Sequence, residues 1–228
     1  MTYSTQLFTE PNDFYEAYMY GSREEWLAGR GELEGIGGSD SPSALGISKW
    51  KSNLRLWYEK TGRQKAPDIS NHPAVRYGTL AEEHIRAMYV LDHPEYEVNY
   101  AENVILKSKK HPCMLYSPDG LIRDRRTGRI GVLEIKTAQI RGNAGDWKDR
   151  IPMPYYVQVI HGLQVTGADF VNLRAWLKYS DEYEAVKTYR IEREDVLEDI
   201  EYVTEKVERF WQYVKKDIEP PQIIGGFE

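Results

Sequence analysis

The chain has 228 residues, 41% hydrophobic and 12% aromatic, enough to bury a full core and too apolar to stay disordered. One cysteine, Cys113, excludes a disulfide framework, a four-cysteine zinc site and a cysteine-ligated iron–sulfur cluster. A net charge of −6 argues against a general nucleic-acid coat protein, but the charge is uneven. Residues 101–150 carry eleven Lys/Arg against six Asp/Glu, and residues 181–228 carry seven against fourteen. The basic stretch is therefore where a phosphate backbone is expected to pass. No run of about 18 apolar residues occurs, so no membrane span is expected. The opening Met-Thr-Tyr-Ser-Thr-Gln lacks the basic-then-apolar layout of a signal peptide, and a cytoplasmic protein is expected.

Residues 12–30 read as a helix ending near Gly29 or Gly31, followed by a glycine-rich turn from Gly35 to Ser39. Ser41 then Pro42 fits an N-cap and first-turn proline, predicting a short helix to Leu45 that stops at Gly46. A helix over 52–61 stops at Gly62; a polar connection with Pro67 and Pro73 leads to a longer helix over 74–91 carrying Glu82. Strands are expected near 96–106, 112–118, 120–124 and 130–137, with Cys113 buried in the second. Residues 138–152 read as a loop, 154–166 as a helix ended by Gly167, and 169–179 and 183–191 as strands. Val196, Ile200, Val203, Val207, Phe210 and Val214 step by 4, 3, 4, 3, 4, one face of a helix over about 193–216. The tail, 217–228, reads as irregular. This order describes an α/β (α+β) fold with a central mixed sheet flanked by helices, in a single domain over 1–228.

The densest chemistry lies between residues 117 and 136. Ser117-Pro118-Asp119-Gly120 is followed after thirteen residues by Glu134-Ile135-Lys136. On a strand Glu134 and Lys136 share a face, while Leu133 and Ile135 point the other way, into a core. The segment from Asp124 to Arg129 reads as the hairpin turn that brings Asp119 alongside. A hard cation such as Mg²⁺ takes oxygen ligands, and Asp119, Glu134 and the Ile135 carbonyl are candidates. Lys136 is placed to orient a water or to stabilise developing negative charge. A polar strand face reads the same way, and Glu-x-Lys alone is more often that; Ser-Pro-Asp-Gly at this distance favours a site.

The segment resembles the PD-(D/E)xK nuclease superfamily, and more closely the lambda-type phage exonuclease or YqaJ-like recombinase family. Three further blocks are similar to that family's signatures, in its order: Gly35-Ile36-Gly37-Gly38-Ser39-Asp40, Tyr77-Gly78-Thr79-Leu80-Ala81-Glu82, and Tyr155-Tyr156-Val157-Gln158. Together the blocks cover roughly residues 22–180. The resemblance implies a restriction-endonuclease-like core. It implies that Glu82 helps hold the metal or its waters, and that Gln158 helps position the nucleophile or terminal phosphate. Ile160 stands where the family often has a second Gln. Ser39, Ser117 and Arg30 would form a pocket for a 5′-phosphate, although Gly31-Glu32-Leu33-Glu34 makes the spacing after Arg30 about two residues longer than usual. Arg23 or Arg141 are the substitutes.

The implied activity is a Mg²⁺-dependent double-strand DNA exonuclease, with Mn²⁺ substituting, that resects 5′ to 3′ and leaves 3′ single-stranded tails. The implied context is phage or prophage recombination with a single-strand annealing protein, as a homo-oligomeric ring, most often a trimer. Competing readings are an endonuclease of the same superfamily and a DNA-binding module that has lost cleavage. A glycosidase with paired carboxylates is more distant, because an ammonium beside the acid suits phosphate better than sugar. His84, His93, His111 and His161 show no transition-metal spacing, although His161, one turn from Gln158, is close enough to line a cleft.

Overall fold

The computed structural model describes residues 2–140, 147, 150–180 and 182–223. The elements run α1 (Gln6–Thr9), β1 (Tyr15–Met19), α2 (Arg23–Glu32), β2 (Ile36–Gly37), α3 (Ser41–Ala44), α4 (Asn53–Lys60) and α5 (Pro73–Asp92). Then follow β3 (Tyr96–Asn99), β4 (Val104–Ser108), β5 (Met114–Tyr116), β6 (Gly120–Asp124), β7 (Ile130–Gln139), α6 (Met153–Thr166), β8 (Phe170–Lys178) and β9 (Glu184–Glu192). A 3₁₀ turn over Arg193–Val196 leads into α7 (Leu197–Lys215).

The strands form two sheets rather than the one expected. The larger has the order β3-β6-β7-β8-β9, and the smaller β1-β4-β5-β2. In the larger sheet β7 and β8 are parallel, joined through the crossover helix α6, and the other pairs are antiparallel. The expected strand over 96–106 is broken by Asn103, whose φ of +54° lies in the left-handed region that Asn tolerates. Its halves, β3 and β4, join different sheets. The helix expected over 12–30 is also split. Tyr15–Met19, rich in aromatics that favour strands, pairs with β4, and the helix starts only at Ser22. There the Ser22 hydroxyl accepts from the Glu25 N–H, and the Glu25 carboxylate accepts from the Gly21 N–H. Cys113 lies in the turn before β5, half-buried, and burial pushes its thiol up to about 11.

The central strand β7 is covered on both faces. Leu133 and Ile135 pack with Ile85 and Tyr89 of α5 and with Ile122 and Phe170. The opposite faces of β7 and β8, with Val132, Val171 and Leu173, pack with Val157, Ile160 and Leu163 of α6. Ile200, Val203, Val207 and Phe210 bury the expected face of α7 in the same core. The basic turn Asp124–Arg129 lies at the opposite end of β7 from Lys136. Seven residues of extended strand separate Arg129 from Lys136, about 23 Å. Arg123 and Arg129 are paired to Glu10 and Glu192. Arg123, Arg125, Arg126 and Arg129, four of the eleven cations of residues 101–150, therefore stand away from Lys136; Arg141 and Lys148 lie outside the described residues.

Phe170 is fully buried, with the Arg190 guanidinium 3.7 Å from its ring centre. A Cβ on Gly131 would stand 2.3 Å from the same ring, so only glycine fits opposite it. Phe170→Ala is expected to lower stability by roughly 3–5 kcal/mol, read as the shift of a urea unfolding midpoint.

Candidate active site

Glu134 sits mid-strand and is 2% exposed. A buried carboxylate must be fully bonded, and three elements supply the donors. Lys136 Nζ, on the same strand face, lies 2.7 Å from Oε1. Gln158 Nε2 of α6 lies 2.5 Å from the same oxygen. The Tyr116 hydroxyl, at the end of β5, donates to Oε2. Burial, then the adjacent Glu134 charge, holds the Tyr116 phenol well above its ordinary range, so it remains a neutral donor. Tyr116 was not singled out from the sequence. The available signal was a strand tyrosine whose hydroxyl needs a partner once buried.

Ser117-Pro118-Asp119 carries the chain from the smaller sheet into the larger one, where β6 begins at Gly120. The β6–β7 ladder ends at Gly120 opposite Leu133. Just beyond it Asp119 Oδ2 accepts the Ile135 N–H at 2.7 Å. Both backbone groups of one strand residue face the same neighbour, so the Ile135 carbonyl also faces the Asp119 side. The Asp119 backbone is fixed from α5: Arg86 Nε donates to its carbonyl at 2.8 Å, and the guanidinium lies 3.5 Å from the Tyr100 ring centre. Arg86 is itself buried.

The electrostatics are those of a site short of positive charge. Burial, Glu134 and Glu82 push the Asp119 carboxyl well above the usual range, against Lys136 and the Ile135 N–H. Burial raises Glu82 as well, with Glu134 adding to it and Lys136 and Arg86 opposing. Burial alone would lower Lys136, but Glu134 and Asp119 outweigh it and the ammonium is held above its ordinary value. A divalent cation would relieve this repulsion. The donors on offer, two carboxylates and a carbonyl, are hard oxygens and suit Mg²⁺ rather than a soft metal. Among the described residues no group of three His, Cys, Asp or Glu side chains gathers to hold an ion. Glu82, on the helix covering the other face of β7, makes no hydrogen bond or ion pair to Asp119 or Glu134.

The glycine-rich turn packs directly on this centre. A Cβ on Gly38 would stand 2.7 Å from the Tyr116 ring and 3.5 Å from Gln158. Next in the chain, Ser39 is exposed, and its hydroxyl has no partner among the described residues. Asp40 is buried and takes three cations: Lys51 at 2.8 Å, Lys60 at 3.3 Å and Arg30 at 3.9 Å. Burial would raise the Asp40 carboxyl, but Lys60, Lys51 and Arg30 hold it well below the usual carboxylate range. Arg30 therefore reaches the turn despite the longer spacing, while Glu32 and Glu34 line a separate cleft with Cys113. Its guanidinium lies 4.9 Å from the Trp26 ring centre. The Val104 carbonyl accepts both Trp26 Nε1, at 3.2 Å, and Ser117 Oγ, at 2.6 Å. Ser39, Ser117 and Arg30 are thus tied to one region. Arg141 lies outside the described residues. His161 is buried with Nε2 3.0 Å from the Leu115 carbonyl, and burial pulls its ring down to about 4, so it is a neutral core residue and lines no cleft.

Residues 25–169 match the YqaJ-like viral recombinase domain, and the chain belongs to that family. The protein YqaJ of Bacillus subtilis (strain 168) is 34% identical over 155 residues, 65% of this chain and 44% of that protein; the chain thus spans less than half of that relative's length. In fold the chain is similar to an alkaline exonuclease from Laribacter hongkongensis, with a TM-score of 0.63 and 22% identity over 86% of this chain and 94% of that one. That enzyme has also been crystallised with dAMP. A putative exonuclease from Eubacterium rectale is similar over 90% of both chains, with a TM-score of 0.52 and 11% identity. Among the described residues no helix is long and apolar enough to cross a membrane.

Asp40→Asn is expected to cost roughly 2–3 kcal/mol at pH 7, because the partly buried Lys60 and Arg30 lose their counterion and Lys51 keeps only Glu59. The wild-type carboxyl has a lowered folded-state pKa, so its contribution is complete above the unfolded value of about 3.9 and fades as pH falls below it. Urea titrations between pH 7 and 2.5 should show the wild type losing stability below about pH 4 more steeply than the variant.

Proposed function

We propose that the chain is a divalent-metal-dependent exonuclease acting on the ends of double-stranded DNA. The observation that carries this reading is the buried Glu134, flanked by Asp119 and Lys136 and bonded by Gln158 and Tyr116. Family membership and the fold shared with two exonucleases support it. Asp119, Glu134 and the Ile135 carbonyl would hold Mg²⁺, or Mn²⁺ in its place, with Glu82 acting on the ion's waters. When bound, the ion lowers the pKa of a water and screens phosphate charge. Lys136 stays charged and holds the attacking water or the developing negative charge in place. Gln158 and Tyr116 fix the Glu134 carboxylate, so that its oxygens need not reorganise during reaction.

Ser39 and Arg30 would receive the 5′-phosphate of a duplex end, joined by Ser117 when its one proton turns from the Val104 carbonyl to the phosphate, which supports 5′-to-3′ resection leaving a 3′ tail. Such a tail suits recombination by a single-strand annealing protein, in the cytoplasm of a phage-bearing bacterium. A homo-oligomeric ring, trimeric by resemblance, would cover the exposed apolar residues Tyr77, Leu80, Met88 and Leu91 of α5.

The test is digestion of linear duplexes ending in 5′-phosphate or 5′-hydroxyl, in Mg²⁺ or EDTA, beside nicked and closed circles. The expected result is metal-dependent loss of one strand from ends, faster with 5′-phosphate, and slowed at least ~100-fold in Lys136→Ala. Cutting of closed circles would move the protein to the endonuclease reading; binding without cutting would make it a DNA-binding module. Tyr116→Phe, which leaves Glu134 one donor short, should raise the Mg²⁺ concentration for half-maximal rate by ~10–100-fold.

A further inference from the structure

We propose that Trp50 is a nucleobase-binding residue: its indole stacks on a base of the strand being processed, one ring outward from the Lys136 ammonium. This rests on the nuclease reading above and adds a contact to it. Trp50 is 69% exposed, whereas the other five tryptophans are buried or half-buried. Isolated exposed aromatics are ordinary; the seat of this one is not. On one side its ring centre lies 5.8 Å from that of Tyr155, and Lys136 Nζ lies 5.8 Å from the same Tyr155 centre. Tyr155 is backed in turn by the buried Trp147, 5.2 Å away. On the other side the next residue, Lys51, is bonded at 2.8 Å to Asp40, the neighbour of Ser39. The turn itself is pinned, because the N–H groups of Trp50 and Lys51 both donate to Ser48 Oγ, at 3.2 and 3.3 Å.

Trp50 is therefore linked to both parts of the site, through Tyr155 to the lysine and through its chain neighbour Lys51 to Asp40 beside Ser39, on a turn held by Ser48 and with its ring open to solvent. Stacking needs only the π-face that every base has, so it suits an enzyme that removes nucleotides in turn without reading them. A tryptophan with two side-chain torsions loses little freedom on doing so. Arg30, Lys51, Arg55 and Lys60 outnumber the two carboxylates they pair with, Asp40 and Glu59, so net positive charge remains beside Trp50 where the backbone would pass.

The experiment measures binding in the Lys136→Ala background, so that the DNA stays intact. Labelled duplexes carry an abasic residue at the first, second or third nucleotide from the 5′ end, or none, and fluorescence anisotropy gives each affinity. With Trp50 present, one abasic duplex should bind about tenfold more weakly than the intact one. In Trp50→Ala the difference should collapse to about twofold or less, and Trp50→Phe should restore most of it. In the otherwise wild-type enzyme Trp50→Ala should act on KM far more than on kcat. An abasic penalty that persists in Trp50→Ala, or is absent at all three positions with Trp50 in place, overturns the stacking role. If the wild type still degrades duplex ends in that case, the nuclease reading stands; if it neither binds nor cuts any end, both fail.

Discussion

A carboxylate inside a sheet has to be bonded on every side, and in this chain one such group, Glu134, ties the architecture together. Its donors come from the larger sheet, the smaller sheet and the crossover helix. Moving any of the three by an ångström would leave this buried charge one donor short, at a cost of roughly 1–3 kcal/mol. The same demand explains the glycine at position 38. The turn before Ser39 has to approach the Tyr116 ring and Gln158 closely, and a Cβ would block it. The glycine-rich turn and the carboxylate centre are therefore parts of one packing problem.

The centre sits where two sheets meet. Asp119 is the last residue before the chain enters the larger sheet, and Tyr116 the last of the smaller. Between them Pro118, with a fixed φ and no N–H, suits a crossing that belongs to neither ladder. The positive charge at this seam is assembled in space rather than along the chain. Arg30, Lys51 and Lys60 come from three different parts of the N-terminal half and converge on Asp40. Four of the eleven cations between residues 101 and 150, Arg123, Arg125, Arg126 and Arg129, lie instead at the distant hairpin.

What could be read from the sequence is what repeats or what is local. The apolar stripe of α7, the strand around Glu134, the glycines that stop the short helices and the placement of Asp119 beside Ile135 all follow from periodicity and turn chemistry; Ser41, read as an N-cap, is instead the first helical residue after Asp40 and donates its hydroxyl to the Gly38 carbonyl. The second sheet did not, because a single Asn103 in a left-handed turn divides what reads as one strand. β1 was missed because its aromatic residues carry helical spacing as easily as alternation, and the Ser22–Glu25 cap that marks the true helix start went unused. Tyr116, Arg86 and Trp26 belong to a third class. Their roles depend on partners 18, 33 and 78 residues away, which no local pattern encodes.

The Val104 carbonyl, shared by Trp26 and Ser117, has a consequence for how this region tolerates change. The acceptor is main chain, and every residue type supplies it. Drift at position 104 can alter the packing of a buried side chain but cannot delete the anchor. Selection on the link between the arginine helix and the serine turn therefore falls entirely on the two donors. An aligned set of relatives would show donors kept at 26 and 117 and, at the buried 104, only the apolar preference of a core position, concealing the atom that joins them.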